Sequence, residues 1–421
     1  MKKNLIFTFD DFINSFTFQN VSYNEFSKKL SVLDISDKSG NFTVRSSLDD
    51  FLKKVAKKDT DTRIKNIDQY KRNLYNMLVE DPRKSLEVWW KKYGSLTEPL
   101  KFYFNMPNGS CLTGDTFMGM TNSKYGRICK NINFENFYNT KKLYDNDSEY
   151  VFGLLKAMYE DFKIRNSLAG PSFYDHILKN DYNQIWLDFM MGANKASVFN
   201  PFTYKSILNE LFKGDTLFAP VMGWNSYQIA FYNSNFTNFI STDVIPSVVD
   251  NGNLLHQEYT KYQNSNIFSK MFSNNQKTIN LYCCPSEQLD KNHDFISKYQ
   301  NKVDAVLFSP PYFDLEIYDS ECQSFTSFPD YQNWLLGYWE ETVKLCKAVM
   351  RPNARFGFII SNYRNKDKID VTISQDMADI VAKYFNPVGK YKVRWSAMSS
   401  SRQAKKMKNG NFEDLWLYEN N

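Results

Sequence analysis

An α/β fold with a doubly wound, parallel or mixed sheet is predicted for the C-terminal half of this sequence. Short apolar segments alternate with segments of helical periodicity from Phe202 onward, as in chains that wind back and forth over one sheet. Two of the apolar segments end in residues suited to a ligand site, an acid at Asp243 and two prolines at 310–311. The N-terminal half has mainly helical patterns. We therefore expect two domains, a mostly helical one over residues 1–190 and an α/β one over residues 191–421.

The individual elements are predicted from periodicity and from turn residues. In the N-terminal half, apolar positions at helical spacing among Lys and Asp predict helix over Leu48–Trp90, and Asp81-Pro82 is suited to start a new helix. Further predicted helices are Val151–Phe162, Phe173–Met190, Phe202–Phe212, Ser226–Tyr232, Trp334–Val349 and Met377–Phe385. The predicted strands are Asp215–Val221, Phe239–Asp243, Thr278–Cys284, Val303–Phe308, Arg355–Ser361, Tyr391–Trp395 and Leu415–Glu419.

The composition is that of a soluble, globular chain. Hydrophobic residues make up 42% and charged residues 24%, and no apolar stretch approaches the roughly 18 residues of a membrane span. The N-terminal apolar patch is interrupted by Asp10 and Asp11 too early for a signal peptide. Six cysteines without a regular framework indicate reduced thiols, so we expect a cytoplasmic protein. Because the three histidines are far apart in sequence, we expect no metal site.

A candidate cofactor loop follows the first predicted strand. In a doubly wound sheet, ligands bind outside the carboxyl ends of the strands. The segment Pro220–Asn225 contains Gly223 and is suited to a tight turn, and Asp243 follows about 20 residues later, at the end of the second strand, where an acid can bind a ribose. One glycine after a strand is also typical of an ordinary turn, so this pattern alone leaves both interpretations open.

The segment after the fourth predicted strand carries the chemistry. It reads Ser309-Pro310-Pro311-Tyr312, and we name it the SPPY turn. Two successive prolines cannot donate hydrogen bonds, so the chain leaves the sheet with carbonyl oxygens that can accept from a ligand. An exocyclic amine needs such acceptors, and an aromatic ring beside them can stack on a flipped base. The alternative is a proline-rich loop exit with a surface tyrosine.

With these residues, the sequence resembles the amino-methyltransferase family of DNA enzymes that make N6-methyladenine or N4-methylcytosine. The family carries a [DNS]-P-P-[YFW] tetrapeptide, matched by the SPPY turn, and the run SPPYFDLEIY is similar to a phage and bacterial branch. Its cofactor loop usually reads D-P-F-x-G-x-G; here residues 219–225 correspond, with Ala219 in place of the acid and Asn225 in place of the second glycine. Asn tolerates a left-handed backbone, so we expect the turn to form. The resemblance covers residues 195–421 and implies a Rossmann-like class I fold that uses S-adenosyl-L-methionine.

The resemblance also implies the roles of individual residues. The SPPY turn, comprising Ser309, Pro310, Pro311 and Tyr312, would hold the amine and the base. Cofactor-binding residues would be Asn200, Pro220, Met222, Gly223, Trp224, Asp243 and Glu287, with Ser286 beside the last. Asn200 is equally suited to cap a helix and Glu287 to be a solvated loop acid.

The substrate is expected to be a nucleic acid, with double-stranded DNA first. The net charge of +5 permits contact with a polyanion without requiring it. Residues 1–190 are the expected reader of sequence or binder of a protein partner, and a C-terminal basic cluster could contact phosphates or simply be solvated: Arg394, Arg402, Lys405, Lys406 and Lys408. A role in restriction-modification fits this interpretation. Two alternatives remain, an RNA base amino-methyltransferase and a non-catalytic subunit of the same fold that binds nucleic acid.

Overall fold

The structure is a computed structural model, and it describes a defined subset of the chain. The described residues are 9–10, 22–31, 34–39, 42–47, 67–81, 83–84, 87, 104, 106, 112–113, 116–117, 198–265, 276–315, 323–364, 370–394 and 412–421. Contacts divide the chain into two compact units, one of 1–5, 96–136 and 197–421 and one of 6–95 and 137–196. The expected domain boundary near residue 190 stays a prediction. The predicted helices Val151–Phe162 and Phe173–Met190, and the basic residues Arg402, Lys405, Lys406 and Lys408, lie outside the described residues. None of the described helices has the length and apolar character needed to cross a membrane.

In the unit of residues 6–95 and 137–196, the described residues form two helices and a hairpin. The helices are α1 (Tyr23–Ser31) and α2 (Ile67–Tyr75), and strands β1 (Asp34–Ser39) and β2 (Phe42–Ser47) pair antiparallel. A π-helical turn, Asn76–Glu80, continues α2. Helix α2 lies inside the predicted helix Leu48–Trp90, whereas the hairpin was not predicted.

The unit of residues 1–5, 96–136 and 197–421 contains the remaining elements. Its strands are β3 (Leu112–Thr113), β4 (Thr116–Phe117), β5 (Thr216–Ala219), β6 (Asn238–Asp243), β7 (Thr278–Cys283), β8 (Val303–Phe308), β9 (Met350–Ile360), β10 (Tyr363–Arg364), β11 (Asp370–Val371), β12 (Asn386–Arg394) and β13 (Phe412–Glu419). Its helices are α3 (Pro201–Leu211), α4 (Ser226–Tyr232), α5 (Pro246–Ser265), α6 (Leu289–His293), α7 (Phe295–Tyr299), α8 (Ser324–Ser327), α9 (Tyr331–Trp334), α10 (Glu341–Val349) and α11 (Ile373–Val381).

Nine of these strands form one sheet in the order β3-β4-β12-β13-β9-β8-β5-β6-β7. Strands β9, β8, β5, β6 and β7 run parallel to one another, and β13 is antiparallel to both β9 and β12. From β5 the chain first steps outward through β6 and β7, and then returns to β8 on the other side of β5. The predicted Rossmann-like, doubly wound sheet is therefore confirmed, and its switch point lies between β5 and β8.

The predicted elements match the observed ones most closely around the switch point. Helix α4 and strand β8 have the predicted bounds, β6 and β7 differ by one residue at one end, and α3 is shifted by one residue at both ends. The predicted helix Trp334–Val349 begins at α9 and continues through a π-helical segment, Leu335–Glu340, into α10. The predicted helix Met377–Phe385 is corrected to α11, which begins and ends about four residues earlier. Helix α5 was not predicted, because its many Asn, Gln and Ser residues weaken the apolar periodicity.

The core lies on both faces of the central strands. In β8, the residues from Ala305 to Phe308 are fully buried, as expected for a parallel strand covered by helices on both sides. Trp339 packs with its ring 5.1 Å from that of Phe358 on β9, and its indole N–H donates to the carbonyl of Met377 on α11. The same ring packs 5.8 Å from that of Phe308 at the carboxyl end of β8, where the polar residues of the predicted site begin.

Candidate active site

A cavity of about 430 Å³ lies outside the carboxyl ends of β5, β6, β7 and β8, at the switch point of the sheet. Its wall combines the turn after β5, the end of β6, the loop after β7, the SPPY turn and one residue of β13. Most residues that the sequence singled out line it: Pro220, Gly223, Trp224, Asp243, Ser286, Glu287, Ser309, Pro310, Pro311 and Tyr312. Asn200 and Met222 do not line it. The cavity therefore brings the turn after β5 together with the SPPY turn, almost a hundred residues later, and with Glu413 of β13, about a hundred residues later again.

The turn after β5, residues 220–225, has an unusual backbone, and we name it the glycine turn. Gly223, Trp224 and Asn225 have φ angles of 53°, 55° and 64°, three left-handed residues in succession. Such residues cost energy unless they are glycine or asparagine. A Cβ atom on Gly223 would lie 2.5 Å from Cζ of Tyr227, so a side chain there would collide with that ring. Position 225 thus keeps the left-handed turn that the sequence predicted, while the left-handed Trp224 was not predicted.

Hydrogen bonds hold the glycine turn from behind. The Asn225 backbone N–H donates to the carbonyl of Met222 over 3.0 Å, and its side-chain amide donates to the carbonyl of Val248 over 3.2 Å. The hydroxyl of Ser226 donates to the Gly223 carbonyl over 2.8 Å. Met222 is fully buried, so it contributes to the turn through its backbone and its packing rather than as cavity wall.

Asp243 ends β6 and lies on the cavity wall beside the glycine turn. Burial raises the pKa of its carboxyl to about 6, while backbone N–H groups of Ile245, Met222 and Val244 hold the charged form and offset part of the rise. The Ile245 N–H donates to Oδ1 over 3.0 Å. The carboxylate is therefore oriented by the chain around it, as a group that must accept hydrogen bonds from a ligand would be.

The loop after β7 and Phe199, just before α3, also line the cavity. Glu287 is partly buried, and burial raises the pKa of its carboxyl, so it is not a fully solvated loop acid. Ser286 is buried and its hydroxyl shares a 2.9 Å hydrogen bond with that of Thr342 on α10. Asn200 caps α3, because its side-chain oxygen accepts the Phe202 N–H over 2.9 Å. The neighbouring Phe199, and not Asn200, reaches the cavity.

Two stacked tyrosines support the SPPY turn from inside the unit. The Ser309 N–H donates to the hydroxyl of Tyr227 over 3.0 Å, and the hydroxyl of Tyr204 donates to the carbonyl of Leu307. The two tyrosine rings stack with centroids 4.4 Å apart. They therefore give hydrogen-bond partners to backbone groups at the point where β8 ends and the two prolines direct the chain away from the sheet.

Tyr312 is held by its hydroxyl. It donates to Oε1 of Glu413 over 2.9 Å and accepts the Ser361 N–H over 3.1 Å. Burial, followed by the negative charge of Glu413, raises the pKa of Tyr312 far above its usual range, so the hydroxyl stays protonated as a donor. The ring stands perpendicular to that of Tyr363, with centroids 5.6 Å apart. The orientation of the aromatic side chain on the cavity wall is thus fixed by contacts from β13 and from the chain just after β9.

Several residues of the cavity wall were not predicted from the sequence. They are Tyr227, Tyr338, Asn362, Tyr363 and Glu413. Tyr227 could have been found, because it lies in the first turn of the predicted helix Ser226–Tyr232, directly after the glycine turn. The others come from distant elements and carry no local signal. Asp314, which follows the SPPY turn, accepts a hydrogen bond from the hydroxyl of Tyr363 and so takes part in this wall.

Comparison with known proteins gives structural similarity only. No family model and no curated protein matches the chain. TrmN from Thermus thermophilus superposes with a TM-score of 0.33 and 9% identity over 52% of this chain and 49% of its own. A 1,6-didemethyltoxoflavin-N1-methyltransferase from Burkholderia thailandensis scores 0.32 at 14% identity, over 60% and 91%. A second Thermus thermophilus protein, described as a DNA modification methylase, scores 0.24 at 12%, over 32% and 52%. Since none of these scores reaches 0.5, the assignment of the fold rests on strand order and direction.

Proposed function

We propose that this protein is an S-adenosyl-L-methionine-dependent amino-methyltransferase that acts on an exocyclic amine of a base in DNA. The observation that carries the proposal is the composition of one cavity wall. The glycine turn, the acid at the end of β6 and the SPPY turn all border the same 430 Å³ space at the switch point of the sheet. A cofactor and an amine acceptor need to meet within such a space.

The residues on the β5 and β6 side fit S-adenosyl-L-methionine. Asp243 offers an oriented carboxylate to ribose hydroxyls, and Val244, Ile245 and Val248 give apolar surface for a planar ring. The left-handed glycine turn lets the backbone approach a ligand closely at Gly223. When bound, S-adenosyl-L-methionine would supply an activated methyl group: the amine nitrogen would form the N–C bond as the C–S bond broke with its electrons on sulfur, and the nitrogen would then lose a proton to water.

The residues on the β8 side fit an amine and a ring. The carbonyl groups at Ser309 and Pro310 and the Ser309 hydroxyl can accept N–H donors, and Tyr312 presents an aromatic ring beside them. Because the methyl group is already activated, these residues need only orient the amine nitrogen, and no histidine base is required. A base in a duplex would have to be flipped out to reach this position.

Two measurements test the proposal together. Isothermal titration calorimetry of the full chain with S-adenosyl-L-methionine should give one binding event. Methyl transfer from labelled S-adenosyl-L-methionine to mixed-sequence double-stranded DNA, followed by nucleoside analysis, should then yield N6-methyladenine or N4-methylcytosine. Parallel reactions contain single-stranded RNA in place of DNA.

The outcomes separate the competing interpretations. Binding with transfer to RNA alone would overturn the DNA proposal in favour of an RNA base amino-methyltransferase. An absence of cofactor binding, with and without DNA present, would identify a non-catalytic subunit. Asp243→Asn should weaken cofactor binding, and Asp250→Asn is its matched control, because Asp250 lies on α5 outside the cavity wall.

A further inference from the structure

We infer that Glu413 determines specificity at the cavity by selecting a substrate group that donates hydrogen bonds, an amine, over one that accepts them, a carbonyl. This inference rests on the proposed function and deepens it. Glu413 lies on β13, about one hundred residues after the SPPY turn, and its side chain lines the cavity.

The carboxylate of Glu413 is buried, with 9% of the residue exposed, and is bound to the SPPY turn. Its Oε1 accepts the hydroxyl of Tyr312 over 2.9 Å, and this hydroxyl is turned toward it because it also accepts the Ser361 N–H. A carboxylate oxygen has two lone pairs, so accepting from Tyr312 does not exhaust its capacity to accept.

The negative charge of Glu413 acts across the whole SPPY turn. Burial raises the pKa of Tyr312 and of Tyr227, and the charge of Glu413 raises both further. Tyr312 ends the turn, and the hydroxyl of Tyr227 accepts the N–H of Ser309 at its beginning. Tyr227, Tyr312 and Glu413 all line the same cavity. A group placed there therefore experiences a negative potential, which favours N–H donors and disfavours carbonyl oxygens.

Ser309 cannot by itself distinguish an amine from a carbonyl, so the charge of Glu413 is needed for that selection. A serine hydroxyl can donate as well as accept, so the first residue of the SPPY turn could hold an amine or a carbonyl equally well. The prolines that follow cannot donate. Among the described residues of the turn and its partners, Glu413 thus supplies the charge that distinguishes the two groups.

The test measures binding rather than turnover. The full chain is saturated with S-adenosylhomocysteine, which fills the cofactor side, and is titrated with cytidine and uridine and with adenosine and inosine. Each pair differs by an amine in place of a carbonyl and by the adjacent ring nitrogen, which is an acceptor beside the amine and carries a proton beside the carbonyl. Wild-type protein should bind the better amine nucleoside at least about tenfold more tightly than its carbonyl counterpart, as a charge-assisted hydrogen bond implies. In Glu413→Gln this preference should fall below about threefold.

Three variants sharpen the result. Asp414→Asn is the matched control: it also removes one negative charge from β13, but Asp414 pairs with Lys390 and Lys392, so the preference should stay at the wild-type value. Tyr312→Phe removes the hydroxyl bonded to Glu413 and leaves the charge, so a preference for the amine should persist. Glu413→Asp retains the charge and serves if the glutamine variant does not fold.

The outcomes distinguish the inference from the function on which it rests. A Glu413→Gln protein that keeps the wild-type preference, or a Glu413→Asp protein that loses it while folded, overturns the role of Glu413 alone. Loss of preference in Tyr312→Phe equal to that in Glu413→Gln assigns Glu413 to holding the ring instead. A wild-type chain that does not bind S-adenosylhomocysteine, or shows no preference for amines, contradicts the proposed function itself.

Discussion

The two sides of the cavity are built differently. On the β5 and β6 side, the glycine turn is shaped by backbone conformation, and Asp243 is held by backbone N–H groups of the residues around it. On the β8 side, the SPPY turn is held by side chains from other elements: Tyr227 of α4 binds Ser309, and Glu413 of β13 binds Tyr312. One side is organised by the local chain and the other by the finished sheet.

Because of this difference, the two sides of the cavity should tolerate different kinds of substitution. The glycine turn depends on its backbone conformation, so an added side-chain atom can disrupt it. A residue other than glycine is accepted only where it tolerates a positive φ, as Asn225 does at 64°. A side made of hydrogen bonds between distant side chains tolerates added volume better than the loss of one partner. The predictions below test whether the two sides fail independently.

The largest expected effect comes from Gly223→Ala on the cofactor side. The new Cβ would collide with the Tyr227 ring and the alanine would be strained at a φ of 53°. Affinity for S-adenosyl-L-methionine should fall by about a hundredfold, from a backbone strain of about 1–3 kcal/mol and the collision together. Calorimetry measures it, with Gly389→Ala as the control, because a Cβ there meets only ordinary contacts. Unchanged affinity would show that the turn does not approach the cofactor.

Tyr312→Ala should damage the amine side and spare the cofactor side. It removes the ring that we expect to stack on the base, together with the bond to Glu413, so kcat/KM for DNA should fall by about ten- to a hundredfold. Affinity for S-adenosyl-L-methionine, measured on the same protein, should change by less than about twofold. A matching loss of cofactor affinity would mean that the two sides are not independent.

The next effect is a pH dependence carried by Asp243. Its pKa is raised from 3.8 to about 6 in the folded protein, so the folded state binds this proton more tightly than the unfolded chain. The contribution of Asp243 therefore lowers the free energy of unfolding of the cofactor-free protein as pH rises from about 4 to about 6. Cofactor affinity should rise over pH 5–7, because the ribose hydroxyls need the charged acceptor.

Asp243→Asn provides the control for both trends. Chemical denaturation and calorimetry across this pH range should show each trend flattened, with cofactor affinity at pH 8 reduced by about tenfold. If the variant keeps the rise of affinity between pH 5 and 7, another group titrates with binding and the ribose assignment of Asp243 is wrong.

The smallest expected effect is that of Tyr227→Phe. It leaves the ring stacked 4.4 Å from Tyr204 and removes only the oxygen that accepts the Ser309 N–H. The free energy of unfolding should fall by about 1–3 kcal/mol, measured in urea, because a buried donor loses its partner. Methyl transfer should slow several-fold at unchanged cofactor affinity. Tyr391→Phe, on β12 and outside the cavity wall, should leave methyl transfer and cofactor affinity unchanged.

The difference between the two sides of the cavity also explains which features could be predicted from the sequence. Strand β8 and helix α4 were predicted at their observed bounds because apolar residues and turn residues mark them locally. The left-handed Asn225 followed from the tolerance of asparagine for that conformation. Helix α4 and Asn225 adjoin the glycine turn, on the side of the cavity that the local chain organises. Strand β8 leads into the SPPY turn on the other side, but it is itself marked by a local run of apolar residues.

The other side could not be predicted in the same way. Glu413 and Tyr363 have no neighbours in sequence that mark them, and their contacts with Tyr312 depend on which strands become adjacent in the sheet. Asn200 illustrates the converse, since its cap on α3 is a local property and was one of two open interpretations. Helix α5 was missed because polar residues weaken its period, and its position is fixed by burial of Val248 and Leu255.

Strand β13 is the last described element of the chain, yet it lies inside the sheet, between β9 and β12. It pairs with β9 along one edge and with β12 along the other, so β9 and β12 do not pair with each other. The sheet is therefore continuous only when residues 412–419 lie in the gap between them. Insertion of a strand into such a gap depends on contacts between distant residues and is a slow kind of folding event. The step that closes the sheet also delivers Glu413 to Tyr312. In refolding experiments, the ability to bind the amine should therefore appear no earlier than the pairing of β13 with β9 and β12.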